Sequence, residues 1–284
     1  MQLPTFLCLA YVASAVALPR QLFGRDKPKH KPVAFFLAGD STTATNGGWG
    51  DAFLPLLSNN ATGINYGHGG ATTVSFVAGG DWASVINSVK EHRNDYHPYV
   101  TIQVCKLVPL PSKRSMKKIL TRGYKFGHND QKEAANISIA RFEENLTRFV
   151  SDVRLAGGTP ILVTSLTRRG FSGGKVIENL VPQVNATLKV ASETKAAVVD
   201  LNKASTKYVN AIGSTNADLY NLKPGDRTHL NWSGGVVFAN LVSSLIEGSE
   251  VGKKVRKYIQ LNETIIAAIE NGQFILPLNE TTTA

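Results

Sequence analysis

The sequence predicts an α/β fold, a parallel sheet with helices on both faces. Three observations carry that prediction. Short apolar runs bounded by glycine or polar turns recur along the chain, as buried strands do. Between them lie longer stretches whose apolar residues return at steps of three and four, the period of a helix. The two kinds alternate, and strands separated by helices pair in parallel. With 284 residues, 43% of them apolar, the chain can build one large core and does not have a disordered composition.

The elements follow in order. Val33–Leu37 is an apolar run closing on Gly39, a first strand. Trp49–Leu57 reads as a short helix, and Gly63–Tyr66 as a second strand before a glycine-rich turn. Trp82–His92 reads as a helix and Tyr99–Gln103 as a third strand. Ile137–Ala156 is the clearest helix. Ile139, Phe142, Leu146, Phe149 and Val153 share one face, and Gly157–Gly158 stops it. Ile161–Thr164 is a fourth strand, Val176–Glu193 a helix and Val198–Leu201 a fifth strand. Helices are expected over Gly235–Ile246 and Val251–Ile269.

The first residues read as a secretory signal. Leu3–Leu18 is apolar and uncharged, with small residues at Ala15 and Ala17. The expected organisation is a signal peptide at 1–17, a basic leader at 18–32, one main folded domain at 33–248, and a C-terminal helix and tail at 249–284. A secreted, extracellular protein follows. The sequons at Asn60, Asn136, Asn145, Asn185, Asn262 and Asn279 become candidate glycosylation sites. A seventh, Asn231, lies two residues from His229 and is expected to stay unmodified. Cys8 falls in the signal and leaves Cys105 alone, so no intrachain disulfide is predicted.

The formal charge of +10 invites a nucleic-acid reading. Its distribution argues against one. The leader, residues 19–32, has a net charge of +4, and Val104–Lys125 carries seven cations and no acid. The remaining body is near neutral. No apolar stretch reaches the length of a membrane span, so neither nucleic acid nor membrane is expected as a partner.

Chemistry concentrates in four polar turns: Gly39-Asp40-Ser41-Thr42-Thr43, Asn65–Gly70, Gly127-His128-Asn129-Asp130 and Asp226-Arg227-Thr228-His229. In an open parallel sheet the ligand site lies beyond the carboxyl ends of the strands, where the first three fall. Ser41 can act as nucleophile if a base takes its proton, and His229 can be that base. Asp226, three residues earlier, can fix the imidazole tautomer. The Ser41 and Gly70 backbone N–H groups and the Asn129 amide can supply an oxyanion hole. Asp40 and His128 read as structural. A rival serine sits in Gly170-Phe171-Ser172-Gly173-Gly174, which matches the G-x-S-x-G elbow of α/β-hydrolases. No His/Cys cluster with ligand spacing appears, so no cofactor or metal is expected.

The four turns in this order resemble the four blocks of the SGNH (GDSL-like) hydrolase superfamily. Gly39–Thr43, Phe126–Lys132, Ile161–Phe171 and Asp226–Asn231 look like one branch of it, the rhamnogalacturonan acetylesterases. The resemblance runs from about Val33 to about Gly248. It implies a three-layer α/β/α flavodoxin-like sandwich, Ser41, Asp226 and His229 as catalytic triad, Gly70 and Asn129 in the oxyanion hole, and no metal. It also implies removal of acetyl groups from pectic polysaccharide, by an enzyme expected to be a monomer. The alternatives are an esterase using Ser172, or a secreted carbohydrate-binding protein of this fold that has lost activity.

Val104–Lys125 interrupts the pattern. Without these 22 residues the third strand runs directly into the oxyanion block as YVTIQFGHND. The stretch is read as a retained intron, because a long basic loop between a core strand and the residue it must aim is uncommon in compact domains; the alternative is a real insertion, a basic flap over an acidic pectin-like substrate.

Overall fold

The computed structural model describes residues 31–103 and 137–278. The signal and most of the leader, Val104–Lys125, Asn129, Asn136 and Asn279 lie outside the described residues.

β1 (Val33–Gly39) is buried along its whole length. Its side chains alternate between two cores, as the two-residue period of a strand requires. Val33, Phe35 and Leu37 join one cluster, and Ala34, Phe36 and Ala38 the other. A strand buried on both faces reads as a continuous apolar run, which is why this element is plain in the sequence. Each buried phenylalanine contributes about 1.5–3 kcal/mol of hydrophobic stabilisation.

β1 pairs in parallel with β2 (Thr62–Asn65) on one side and with β3 (His97–Gln103) on the other. β4 (Thr159–Val163) follows β3 in parallel. A two-residue hairpin, β5 (Phe171–Ser172) and β6 (Lys175–Val176), lies outside the main sheet, and β7 (Ala197–Val199) completes it beside β4. The order is β2-β1-β3-β4-β7. The order reverses between β1 and β3, the crevice where such sheets bind ligands. Both strands end there together, with Gly39 in register with Gln103.

Helices cover both faces. α1 (Gly50–Phe53) packs Trp49 and Phe53 against one face. α2 (Ser75–Ala78), α3 (Asp81–His92) and α4 (Ile139–Ala156) cover the other, through Phe76, Trp82, Val85, Val89, Phe142, Leu146 and Phe149. α5 (Val181–Thr194) joins that layer. α6 (Leu201–Asp218), α7 (Trp232–Glu247), α8 (Gly252–Val255) and α9 (Glu263–Glu270) complete the first. This is a three-layer α/β/α sandwich, as expected. Among the described residues no helix is long and apolar enough to cross a membrane.

Several boundaries differ from expectation, each for a local reason. The helix expected from Val176 begins at Val181, because Lys175 and Val176 pair in the hairpin. Pro182 then sits in the first helical turn, where a missing N–H costs nothing. α6 was not anticipated. Asp200 caps it by accepting from Lys203 N–H at 3.1 Å, but polar residues and a break at Gly213 (φ 76°) obscure its apolar stripe. The single helix expected over Val251–Ile269 is divided. α8 tightens into a 3-10 turn at Arg256–Tyr258, and Asn262 caps α9 by accepting from Ile265 N–H at 3.1 Å. These last segments share the main core through Val251, Val255, Tyr258, Ile259 and Ile265. The helix expected over Trp49–Leu57 is only α1 followed by a 3-10 turn at Leu54–Leu56.

Candidate active site

The turn after β1 presents Ser41. Asp40 accepts at one carboxylate oxygen from both Thr42 N–H and Thr42 Oγ1–H, each at 2.8 Å. The Asp40 carbonyl accepts from Thr43 N–H at 3.1 Å and Ala44 N–H at 3.0 Å. Asp40 is therefore structural, as expected from its position. Two glycines let neighbouring backbone press on this turn. A Cβ at Gly48 would lie 2.4 Å from the Thr42 carbonyl carbon, and one at Gly67 would lie 2.4 Å from Ala44 N. From the end of β2, Asn65 donates to the Thr43 carbonyl at 2.9 Å and accepts from Gly67 N–H at 2.9 Å.

Gln103 closes the turn from the other side. It ends β3 and is 0% exposed. Its Oε1 accepts from Thr43 Oγ1–H and Trp49 Nε1–H, both at 2.7 Å. Sequence reasoning took Gln103 only as the last residue of a strand. A polar residue at the end of an otherwise apolar strand, beside a candidate nucleophile turn, was the available signal.

The second half of the site is the turn Asp226–His229. Asp226 Oδ1 accepts from Thr228 N–H at 3.2 Å and His229 N–H at 3.0 Å. Its Oδ2 lies 2.9 Å from His229 Nδ1. Burial alone would push this carboxyl up. The hydrogen bonds from the His229 amide and imidazole, the attraction of the imidazole's charge and the bond from Thr228 outweigh it, and hold the group below its ordinary value.

The two halves meet. His229 Nε2 lies 2.9 Å from Ser41 Oγ, 188 positions away in sequence. Ser41 is 8% exposed. Gly47 lines the contact, since a Cβ there would stand 3.5 Å from His229 Cδ2 and 3.3 Å from the Ser41 carbonyl. Its carbonyl accepts from Leu230 N–H at 2.8 Å. Serine, imidazole and carboxylate thus form a continuous relay that can move a proton from an attacking hydroxyl. Gly70 lies with φ 94° in the turn after β2, and His68 N–H in that turn donates to the Gly39 carbonyl at 3.0 Å.

Ser172 has no such surroundings. It sits in the hairpin whose turn residues, Gly173 (φ 57°) and Gly174 (φ 78°), have the left-handed backbone of a two-residue β-turn. The nucleophile elbow requires a strand-to-helix turn, and this strand turns back into a strand. One glycosylation candidate is corrected. Asn145 is 4% exposed, and its amide donates to Thr73 Oγ1 at 2.9 Å, which leaves a glycan no room. Asn60, Asn185 and Asn262 are exposed. Asn231 caps α7, and its amide donates to the Leu219 carbonyl at 2.7 Å.

Comparison with known proteins gives a consistent result. The rhamnogalacturonan acetylesterase RhgT of Bacillus subtilis is 29% identical over 253 residues, 82% of this chain and 97% of that protein. A probable rhamnogalacturonan acetylesterase of the same organism, YesY, is 22% identical over 81% of this chain and 96% of its own. Among solved structures, an acetylxylan esterase from Geobacillus stearothermophilus superposes with a TM-score of 0.53 at 15% identity, over 76% of this chain and 95% of that one. The Bacillus subtilis protein YXIM superposes with a TM-score of 0.59 at 21% identity, and the matched region is 57% of its length. No protein-family model matches the chain. The similarity to rhamnogalacturonan acetylesterases carried by the sequence motifs therefore extends over most of the chain.

Proposed function

We propose that this chain is a secreted serine esterase of the SGNH type that removes acetyl groups from a pectic polysaccharide such as rhamnogalacturonan. The observation that carries the reading is the relay from Ser41 Oγ through the His229 ring to Asp226, with both hydrogen-bonding distances at 2.9 Å. His229 Nε2 takes the Ser41 proton as Oγ attacks the acetyl carbonyl carbon. Asp226 stabilises the imidazolium that forms. The Ser41 and Gly70 N–H groups and the Asn129 amide hold the oxyanion. The imidazolium then protonates the departing sugar oxygen and leaves acetyl-Ser41. Water, deprotonated by His229, releases acetate and restores the serine.

The pectic assignment draws on the names of the two sequence relatives, and the apolar Leu3–Leu18 start supports secretion. The test is acetate release from acetylated rhamnogalacturonan and acetylated xylan, by wild type and Ser41→Ala. Wild type is expected to prefer rhamnogalacturonan, and Ser41→Ala to lose at least about 10⁴-fold in kcat on either. A folded Ser41→Ala variant that keeps activity sinks the mechanism. Preference for xylan sinks the substrate assignment alone.

The retained-intron reading of Val104–Lys125 belongs to the same proposal. It rests on the sequence alone, where removing the 22 residues joins Gln103 directly to Phe126. In peptides of the secreted protein, Val100–Gln103 is expected to continue directly into Phe126. A peptide containing Leu107–Lys113 overturns the idea.

A further inference from the structure

A buried guanidinium lies beneath the acid–base turn. Arg169 follows β4 and is 0% exposed. Its Nη2 donates to the His229 carbonyl at 2.6 Å, and its Nε to Asn221 Oδ1 at 2.7 Å. Its own N–H donates to the Arg227 carbonyl at 2.9 Å. Asn221 passes the connection on, donating from Nδ2 to Asp218 Oδ1 at 2.8 Å. One side chain therefore grips both strands of the loop that carries the base. It holds residue 221 on the incoming strand and residue 229 on the outgoing one, which meet at the Asn221–Leu230 bridge. Its backbone holds residue 227 between them.

A buried cation is an expensive way to hold a loop. Burial pulls the Arg169 guanidinium down to about 10, against the attraction of Asp226 and Asp218. An apolar side chain of similar volume could fill the position, but it would take a buried donor from both the His229 carbonyl and the Asn221 amide oxygen. What it cannot do is donate in a plane to a carbonyl and an amide oxygen together, which the guanidinium fork does.

Resting on the triad reading above, we propose that Arg169 is a positioning residue for catalysis, setting the His229 imidazole on Ser41 by fixing the His229 carbonyl and Asn221 from below. It touches neither substrate nor reacting atoms. Catalysis is steep in such geometry, and a displacement of about 1 Å costs about 100-fold in rate.

The test compares Arg169→Met and Arg169→Lys with wild type and Ser41→Ala on a small chromogenic acetate ester. Fold is checked by circular dichroism and melting. Arg169→Met removes charge and fork, and kcat is expected to fall about 100-fold with KM unchanged within about twofold. Arg169→Lys keeps the charge and loses the fork, and kcat is expected to fall about tenfold with KM again unchanged. In both variants the downfield proton resonance of the His229–Asp226 hydrogen bond is expected to broaden, a signature a packing role alone would not move. If Arg169→Met does not fold, Arg169→Lys decides. A folded variant with kcat within about threefold of wild type, or a loss confined to KM, overturns the proposal. An active Ser41→Ala would instead overturn the triad reading, so the two failures are distinct.

Discussion

The two halves of the candidate site are held in different ways. The candidate nucleophile turn, residues 40–48, is held by its own backbone bonds and by the Asp40, Asn65 and Gln103 side chains. It follows the central strand, its carbonyls and amides bond within the turn, and glycines at 48 and 67 let neighbouring chain approach within a distance no side chain tolerates. The acid–base turn, residues 226–229, comes off no strand of the main sheet. It is held by backbone bonds from Arg169 N–H to the Arg227 carbonyl and from Leu222 N–H to the His229 carbonyl, and by the Asp226, Arg169 and Asn221 side chains. A turn pressed this closely by neighbouring backbone resists substitution until it breaks. A turn off the sheet, held partly by a buried guanidinium, can lose its aim while the fold stands.

That contrast can be pressed hardest at Asp226. Asp226→Asn keeps the shape and loses the charge that orients and stabilises the imidazole, and kcat is expected to fall about 10⁴-fold without unfolding. The same variant tests the carboxyl's depressed pKa. A group held below its ordinary value stabilises the folded state above the unfolded carboxylate range, and that contribution is lost as pH falls through the folded value. Wild type is therefore expected to lose melting temperature toward acid more steeply than Asp226→Asn. Parallel melting curves across pH would show that Asp226 is not held as described, and unchanged kcat would remove it from the mechanism.

On the nucleophile side the balance should reverse. Gln103→Met fills similar space but leaves Trp49 Nε1–H and Thr43 Oγ1–H without their buried acceptor. Stability measured by denaturant unfolding is expected to fall by about 2–3 kcal/mol, with kcat reduced only about tenfold. A variant as stable as wild type would mean that the turn holds itself, and that Gln103 is a bystander.

Sequence exposed these halves unequally. Val33–Gly39 and the Ile139–Ala156 helix were legible because their apolar patterns are local and strong. So were Ser41, Asp226 and His229, each inside a short polar turn at a strand end or late in the chain. Gln103 and Arg169 were not recognised, because a buried polar side chain is explained by partners that lie 60 residues away for Thr43 and for His229. No local pattern announces such a partner. The same limit produced the false signal at Ser172, where five residues satisfy a motif whose meaning depends on what the chain does next. α6 was missed because its buried face includes Ser205 beside Leu201, Tyr208, Val209 and Ile212, and because Gly213 breaks its period.

The bond from Leu230 N–H to the Gly47 carbonyl has a consequence for how the molecule is made. Every strand of the main sheet has been synthesised by Val199, and His229 arrives only afterwards. It is followed at once by α7, whose Val237, Phe238, Leu241, Val242 and Ile246 complete a core layer. The proposed base is thus joined in sequence, through residues 230 and 231, to a helix the core needs. Under the proposed triad, turnover would count finished molecules: a premature stop or a misdocked final third would leave Ser41 without its base, and specific activity would gauge folding yield.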